Sequence, residues 1–339
     1  MTETTTESSP GDDGGAAPAR SDSKVLKVQD LVVEFPAGPG ERVHAVSGVS
    51  FDLAEGETLG LVGESGCGKT TTGRAIMGLP PPTSGTVEFD GEVLTSLRSS
   101  ELRRARRGLQ IIFQDPVSSL NPRRLVEDIV AEPLAIWRPE LSKQEVEDSV
   151  VAILEAVGID PETRGRRPHE FSGGQCQRVA IARALMLDPA VLICDEPVSS
   201  LDVSVQAQII GLLRDMKERY GLAMVFISHD LAVVRNLANR IAVMYLGRIC
   251  ELGDADAIYN HPTHPYTKGL LDSIPRAEAR DSKASGPAIL GELPSPIHPP
   301  SGCRFRTRCP RADDQCVHER PELRVVGDDH LVACHHPLL

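Results

Sequence analysis

Residues 58–79 read TLGLVGESGCGKTTTGRAIMGL, and the order of textures in that stretch decides the fold. An apolar run gives way to a glycine-rich loop, and the loop to a helix-forming segment. Gly63-Glu64-Ser65-Gly66-Cys67-Gly68-Lys69-Thr70 matches a phosphate-binding loop at every position. Glycines let successive backbone N–H groups converge on phosphate oxygens, and the following helix turns its positive end towards the same charge. Lys69 has the reach for the outer phosphates, and Thr70 offers a hydroxyl to Mg²⁺. Ser65, Gly66, Cys67, Gly68 and Thr71 complete the expected cradle. A chance glycine turn would not come with an apolar strand before it and a helix after it.

Upstream, VLKVQDLVVEF and VHAVSGVSFDL flank a turn-rich PAGPGE and read as two strands. Downstream, TVEFDG is a further strand and turn, and residues 99–107 form a charged helical surface. Helical periodicity fills 125–157 and 175–187. VLICDE at 191–196 and AMVFISHD at 223–230 are short buried strands separated by the helix VQAQIIGLLRDMKERY, and AVMYLGRICELG closes a hairpin. Alternation of this kind predicts an α/β domain built on a largely parallel sheet covered on both faces. The expected divisions are a disordered tail over 1–23, an ATPase domain over 24–260 and an extension over 261–339. The tail from residue 303 onward holds few apolar residues, too few for much of a core by burial alone.

The strand VLIC delivers Asp195 and Glu196 at its end, where ligands of open α/β sheets sit. Asp195 is placed to hold Mg²⁺ through its water shell, and Glu196 to orient or deprotonate an attacking water. Two adjacent acids alone would be a solvated turn; with Lys69 in the same chain they point to nucleotide hydrolysis. His229 follows the strand VFIS and can contact a γ-phosphate, and Gln114 follows LQIIF and can sense Mg²⁺ or the water. Taken singly, a histidine at 229 fits a structural cap better, and Gln114 is weak evidence on its own.

The chain has 339 residues and a formal net charge of -12, which argues against direct nucleic-acid binding. Aromatic residues make up 4%, too few for base-stacking platforms. No run approaches the roughly 20 apolar residues of a membrane helix, and the first residues lack a signal-peptide core. The expectation is a protein peripheral to the cytoplasmic face of the cell membrane.

At Phe171-Ser172-Gly173-Gly174-Gln175 the sequence resembles the ATP-binding subunits of ABC transporters. The resemblance implies that Ser172, Gly173, Gly174 and Gln175 cap the γ-phosphate held by the opposite subunit. It further implies that Phe35 stacks on adenine, Gln114 is the Q-loop glutamine and Glu196 the catalytic carboxylate. Asp202 falls in the D-loop and His229 at the switch position. QDPVSSLNPR at 114–123, CDEPVSSLDVSVQAQ at 194–208, HPYTKGLL at 264–271 and GELPSPIHPPSGCRFRTRCP at 291–310 resemble the oligopeptide/dipeptide importer branch. TTGRAIMGL resembles the second of its two ATPase subunits. The departures are Cys176, where a basic residue is usual, and Ser200 in place of a common Ala; neither removes a phosphate ligand. The implied partners are a related ATPase subunit, two membrane permeases and an extracytoplasmic peptide-binding protein. Nickel or another small solute stays open as cargo, and a soluble ABC ATPase outside transport is the alternative class.

Cys303, Cys309, Cys316 and Cys334 crowd the end of the chain as C-x5-C-x6-C-x17-C. Four soft thiolates suit zinc or an iron–sulfur cluster, and the absence of a C-x2-C pair leaves the metal open, as it leaves four reduced thiols open. His318, His335 and His336 are alternative ligands. Resemblance to the importer ATPases, some of which carry a [4Fe-4S] cluster there, favours that cluster over zinc, in a structural role.

Overall fold

The computed structural model describes residues 23–274, 289, 291–327 and 329–338. The polar tail expected at 1–23 therefore lies outside the described residues except for Ser23, as does most of the linker after residue 274. The strands are β1 (Lys24–Gly38), β2 (Glu41–Ala54), β3 (Thr58–Val62), β4 (Ser84–Phe89), β5 (Glu92–Val93) and β6 (Leu109–Ile112). They continue with β7 (Val191–Asp195), β8 (Ala223–Ser228), β9 (Arg240–Tyr245), β10 (Arg248–Asp254), β11 (Arg324–Gly327) and β12 (His330–Val332).

Two sheets form. A small antiparallel sheet has the order β2-β1-β4-β5, and the main sheet has the order β11-β12-β10-β9-β3-β8-β7-β6. From β6 to β9 the main sheet is parallel, and β10, β12 and β11 extend it antiparallel. Strands β3, β7 and β8 are buried along their whole length, which is why they read as unbroken apolar runs and not as alternation. One apolar cluster, with Leu59, Leu61, Ile193 and Val225, fills the side shared with the antiparallel sheet; another, with Leu192, Met224 and Phe226, fills the other side.

Register sets the position of the site. Val62 lies opposite Ser228, and Asp195 opposite Ile227, so three parallel strands end level. The loop after β3, the acids after β7 and the histidine after β8 therefore emerge side by side.

Helices Val126–Trp137, Lys143–Ala156 and Gly173–Leu185 make a helical subdomain packed through Val130, Leu134, Val150, Leu154 and Val179. Two have reciprocal N-terminal capping boxes, Ser142 with Glu145 and Ser172 with Gln175.

The stretch after 260 is joined to the domain by the main sheet itself, through β12 on β10, a pairing with no counterpart in the sequence reading. Its interior is built differently. Glu251 is fully buried and accepts from Thr263 N (2.6 Å), Thr263 Oγ1 (2.7 Å) and His264 N (3.0 Å), with His330 Nε2 at 2.7 Å. Beside this polar hub, Tyr245, Tyr266 and Phe305 pack edge to face or tilted, with ring centroids 4.8–5.4 Å apart. Gly302 has φ +59°, and a Cβ there would meet Cys316 O at 2.5 Å, so the turn into Cys303 requires glycine.

Candidate nucleotide site

The phosphate-binding loop runs from β3 into the helix Lys69–Ile76. Gly68 is left-handed at φ +105°, and a Cβ there would lie 2.2 Å from Ala45 O, so the antiparallel sheet presses the loop into shape from behind. Lys69 is buried, and its Nζ donates to the carbonyls of Gly63 (2.8 Å) and Glu64 (3.1 Å), 3.9 Å from Glu196 Oε1. Phe35, Ser65, Gly66, Gly68, Lys69, Thr70, Thr71, Gln114 and Glu196 line one cleft of about 360 Å³ together with Val43, Ala45 and Pro296.

The residues at the ends of the other two strands face this loop. Thr70 Oγ1 donates to Asp195 Oδ1 at 2.7 Å. Asp195 is fully buried; burial pushes its carboxyl up, against the opposing pull of the Thr70 hydroxyl and the Arg74 guanidinium. Its Oδ2 receives no hydrogen bond and has Arg74 at 3.5 Å. A buried carboxylate oxygen without a donor, next to a threonine hydroxyl, is a donor set that fits a hard divalent cation.

Glu196 has φ +47°, a strained value for glutamate, and its N–H donates to Ile227 O at 3.1 Å. That backbone aims the carboxylate into the cleft. Gln114 Nε2 donates to Glu196 Oε2 at 3.1 Å, and His229 Nδ1 stands 3.6 Å from the same oxygen. Gln114, Glu196 and His229, from three separate strand ends, thus meet on one carboxylate.

Ser172, Gly173 and Gln175 are exposed, and none of the segment 172–175 lines this cleft. Ser172 caps its helix, accepting from Gln175 N at 3.3 Å while Gln175 Oε1 accepts from Ser172 N at 2.9 Å. Asp202 starts the helix Val203–Tyr220 on the surface, next to Val203, which is 81% exposed.

The four C-terminal cysteines gather. Cys303, Cys316 and Cys334 are buried and Cys309 is half-buried; Cys303 N–H donates to Cys316 O at 2.9 Å. Burial and the charges that Cys303, Cys309 and Cys316 would carry push the Cys334 thiol up to about 11. Four thiols that oppose one another's ionisation are the surroundings that a bound cationic centre would relieve. Among the described residues, the compact set of ligand atoms within 4.8 Å is Asp313, Cys316 and His336.

The sequence reading missed Arg74, Pro296, Tyr266 and Arg308. The last two reach the phosphate-binding loop from the C-terminal extension. Tyr266 Oη accepts from Glu64 N at 2.9 Å, and Arg308 holds the Glu64 carboxylate at 2.6 and 2.9 Å. Their only sequence signal was membership of the segments HPYTKGLL and CRFRTRC.

Comparison with known proteins agrees with this geometry. Residues 46–199 match the ABC transporter family, and 250–316 match the oligopeptide/dipeptide transporter C-terminal region. The oligopeptide transport ATP-binding protein OppF of Escherichia coli is 50% identical over 91% of this chain and 95% of its own length. The di/tripeptide transport ATP-binding protein DppF of Pseudomonas aeruginosa is 47% identical over 92% and 97%. The dimeric ATP-binding cassette MJ0796, solved in a post-hydrolysis state with ADP and Pi, superposes with a TM-score of 0.63 at 30% identity, over 68% of this chain and 98% of that one. The chain belongs to the ABC transporter ATP-binding family, in the branch of oligopeptide and dipeptide transport ATP-binding proteins.

Proposed function

We propose that this chain hydrolyses ATP to power import of oligopeptides or dipeptides through a membrane ABC transporter. The observation that carries the catalytic half is the meeting of Gln114 and His229 on Glu196, beside Lys69 and the Thr70–Asp195 pair. Lys69 and the loop N–H groups bind the phosphates, while Thr70, Asp195 and Gln114 would hold Mg²⁺, which would supply charge neutralisation to the phosphates. Phe35 offers a ring to adenine. Glu196, held between Gln114 and His229, orients the water and accepts its proton.

The segment Ser172–Gln175, exposed except at Gly174, and Asp202 lie outside the chain's own cleft, as a pair of subunits closing head to tail requires. Each ATP is then shared by Lys69 of one subunit and Ser172 of the other, and ATP drives closure by binding the closed pair better than the open one. The inferred assembly is one related ATPase subunit, two permeases and an extracytoplasmic peptide-binding protein, with this chain at the cytoplasmic face. No helix among the described residues is long and apolar enough to cross a membrane; membrane contact through the permeases is part of the inferred assembly. The four cysteines are assigned a structural [4Fe-4S] cluster, with zinc as the other loading. Iron, zinc and sulfide analysis after anaerobic purification, with Cys309→Ser alongside, decides between them.

Lys69→Ala and Ser172→Arg test the two halves of the site. Lys69→Ala loses ATP binding, whereas Ser172→Arg keeps it and loses ATP-dependent crosslinking of closed dimers. Equal loss of binding in both would overturn the shared-site reading.

A further inference from the structure

Glu64 stands inside the phosphate-binding loop and brings a negative charge to a place built for triphosphate. A carboxylate there opposes the anion it flanks unless something neutralises it. The C-terminal extension supplies that neutralisation. Arg308 Nη1 and Nη2 reach Glu64 Oε2 and Oε1 at 2.6 and 2.9 Å across 244 residues of sequence, a bidentate pair in which the Arg308 side chain is 5% exposed. Bidentate guanidinium–carboxylate geometry fixes direction as well as charge.

A second contact from the same extension falls on the same residue. Tyr266, fully buried in the aromatic cluster with Tyr245 and Phe305, accepts the Glu64 N–H at 2.9 Å. The Glu64 backbone and carboxylate are therefore both held from behind. Pro296, also from the extension, lines the nucleotide cleft and accepts from His44 N at 2.9 Å.

We propose that Arg308 and Tyr266 are positioning residues of the phosphate-binding loop, through which the C-terminal extension sets the chain's affinity for ATP. The proposal rests on the ATP-site reading above. Arg308 masks the Glu64 charge, and Tyr266 fixes the loop's second peptide, so that the remaining N–H groups are organised before ATP arrives. Loss of the clamp acts on binding and leaves Glu196, Gln114 and His229 untouched. An extension that only completed the fold would influence Tm and leave the Glu64 charge without consequence.

The test is titration of the full chain with a non-hydrolysable ATP analogue and Mg²⁺. Arg308→Gln is expected to raise Kd about tenfold, the scale of an unmasked charge close to the phosphates. Adding Glu64→Gln to Arg308→Gln removes that charge and restores Kd to within about threefold of wild type. Tyr266→Phe, which deletes one oxygen and leaves the ion pair, raises Kd about threefold. Unchanged Kd in both Arg308→Gln and Tyr266→Phe overturns the proposal, and so does a double variant as weak as Arg308→Gln alone. Lys69→Ala in the same series separates the two levels. If Lys69→Ala binds normally, the ATP-site reading falls; if it binds poorly while Arg308→Gln and Tyr266→Phe bind normally, only the clamp falls.

Discussion

The parallel sheet and the C-terminal extension solve the same problem with different chemistry. Strands β3, β7 and β8 are buried on both faces and apolar apart from Thr58, Asp195 and Ser228 at their ends, so the hydrophobic effect holds most of their length with little demand on any single contact. The extension is held by specific polar groups: a buried carboxylate at Glu251, a buried imidazole at His264, two arginines beside Cys303 and Cys309, and the four thiols. Arg304 donates to Leu246 O and to Ser47 Oγ, and Arg308 pairs with Glu64. The sheet tolerates changes of pH and salt that leave apolar surface alone. The extension depends on protonation state and pairing, and it is attached to the loop that binds nucleotide.

The largest expected effect lies in the sheet. Phe226 is fully buried in β8, opposite Cys194. Phe226→Ala should cost about 3–5 kcal/mol in denaturant unfolding, through lost burial and a residual cavity. A loss below about 1 kcal/mol would mean that the sheet is not the stable half.

Acid should act on the other region. His264 Nδ1 accepts the Tyr266 N–H at 3.0 Å, and burial, opposed by Glu251, pulls the imidazole down to about 4 from an ordinary 6.5. Between those values the unfolded chain takes up a proton that the folded chain refuses. The contribution is therefore complete above pH 6.5 and lost as pH falls towards 4, about 3 kcal/mol in all. Burial alone would raise the Glu251 carboxyl, but hydrogen bonds from His330 and Thr263 outweigh it and hold it below its ordinary range, so its contribution is lost at still lower pH. Hydrogen exchange between pH 7 and 5 should show residues 255–272 opening before β7 and β8. His264→Asn, which keeps an acceptor at the helix start without titrating, should flatten that dependence. Simultaneous opening of both regions would erase the contrast.

The smallest effect is expected where a side chain is exposed without partners in the fold. Val203→Ala should change stability by less than about 0.5 kcal/mol, because Val203 is 81% exposed. If ATP-dependent pairing covers this surface, the same change weakens dimer crosslinking; a large fall in monomer stability would assign Val203 to the fold instead.

The contrast also explains what could be read in advance. The loop at 63–70, the strands VLIC and AMVFIS and the acids at 195–196 are local patterns, and each element declares itself within ten residues. Ser172 was legible through the resemblance of residues 171–175 to ABC transporter ATP-binding subunits, and its capping of the helix Gly173–Leu185 came only with the structure. The extension's structure is made of pairings between distant residues: Glu64 with Tyr266 and Arg308, and Glu251 with His330. Strand β12 is three residues long, and its position in the sheet comes from β10 and not from any periodicity of its own. Arg74 escaped notice because its tie to Asp195 joins the first turns after β3 to the end of β7.

We propose that Glu196, the carboxylate on which Gln114 and His229 converge at the strand ends, performs the hydrolysis. Glu196→Gln keeps the side chain's size and the contact with Gln114 while removing the proton acceptor. The decisive measurement is steady-state ATP turnover by the assembled transporter containing this variant, with nucleotide binding measured on the same preparation. The expected result is a fall in kcat of at least about 100-fold with ATP binding retained; turnover within a few-fold of wild type would overturn the assignment of Glu196.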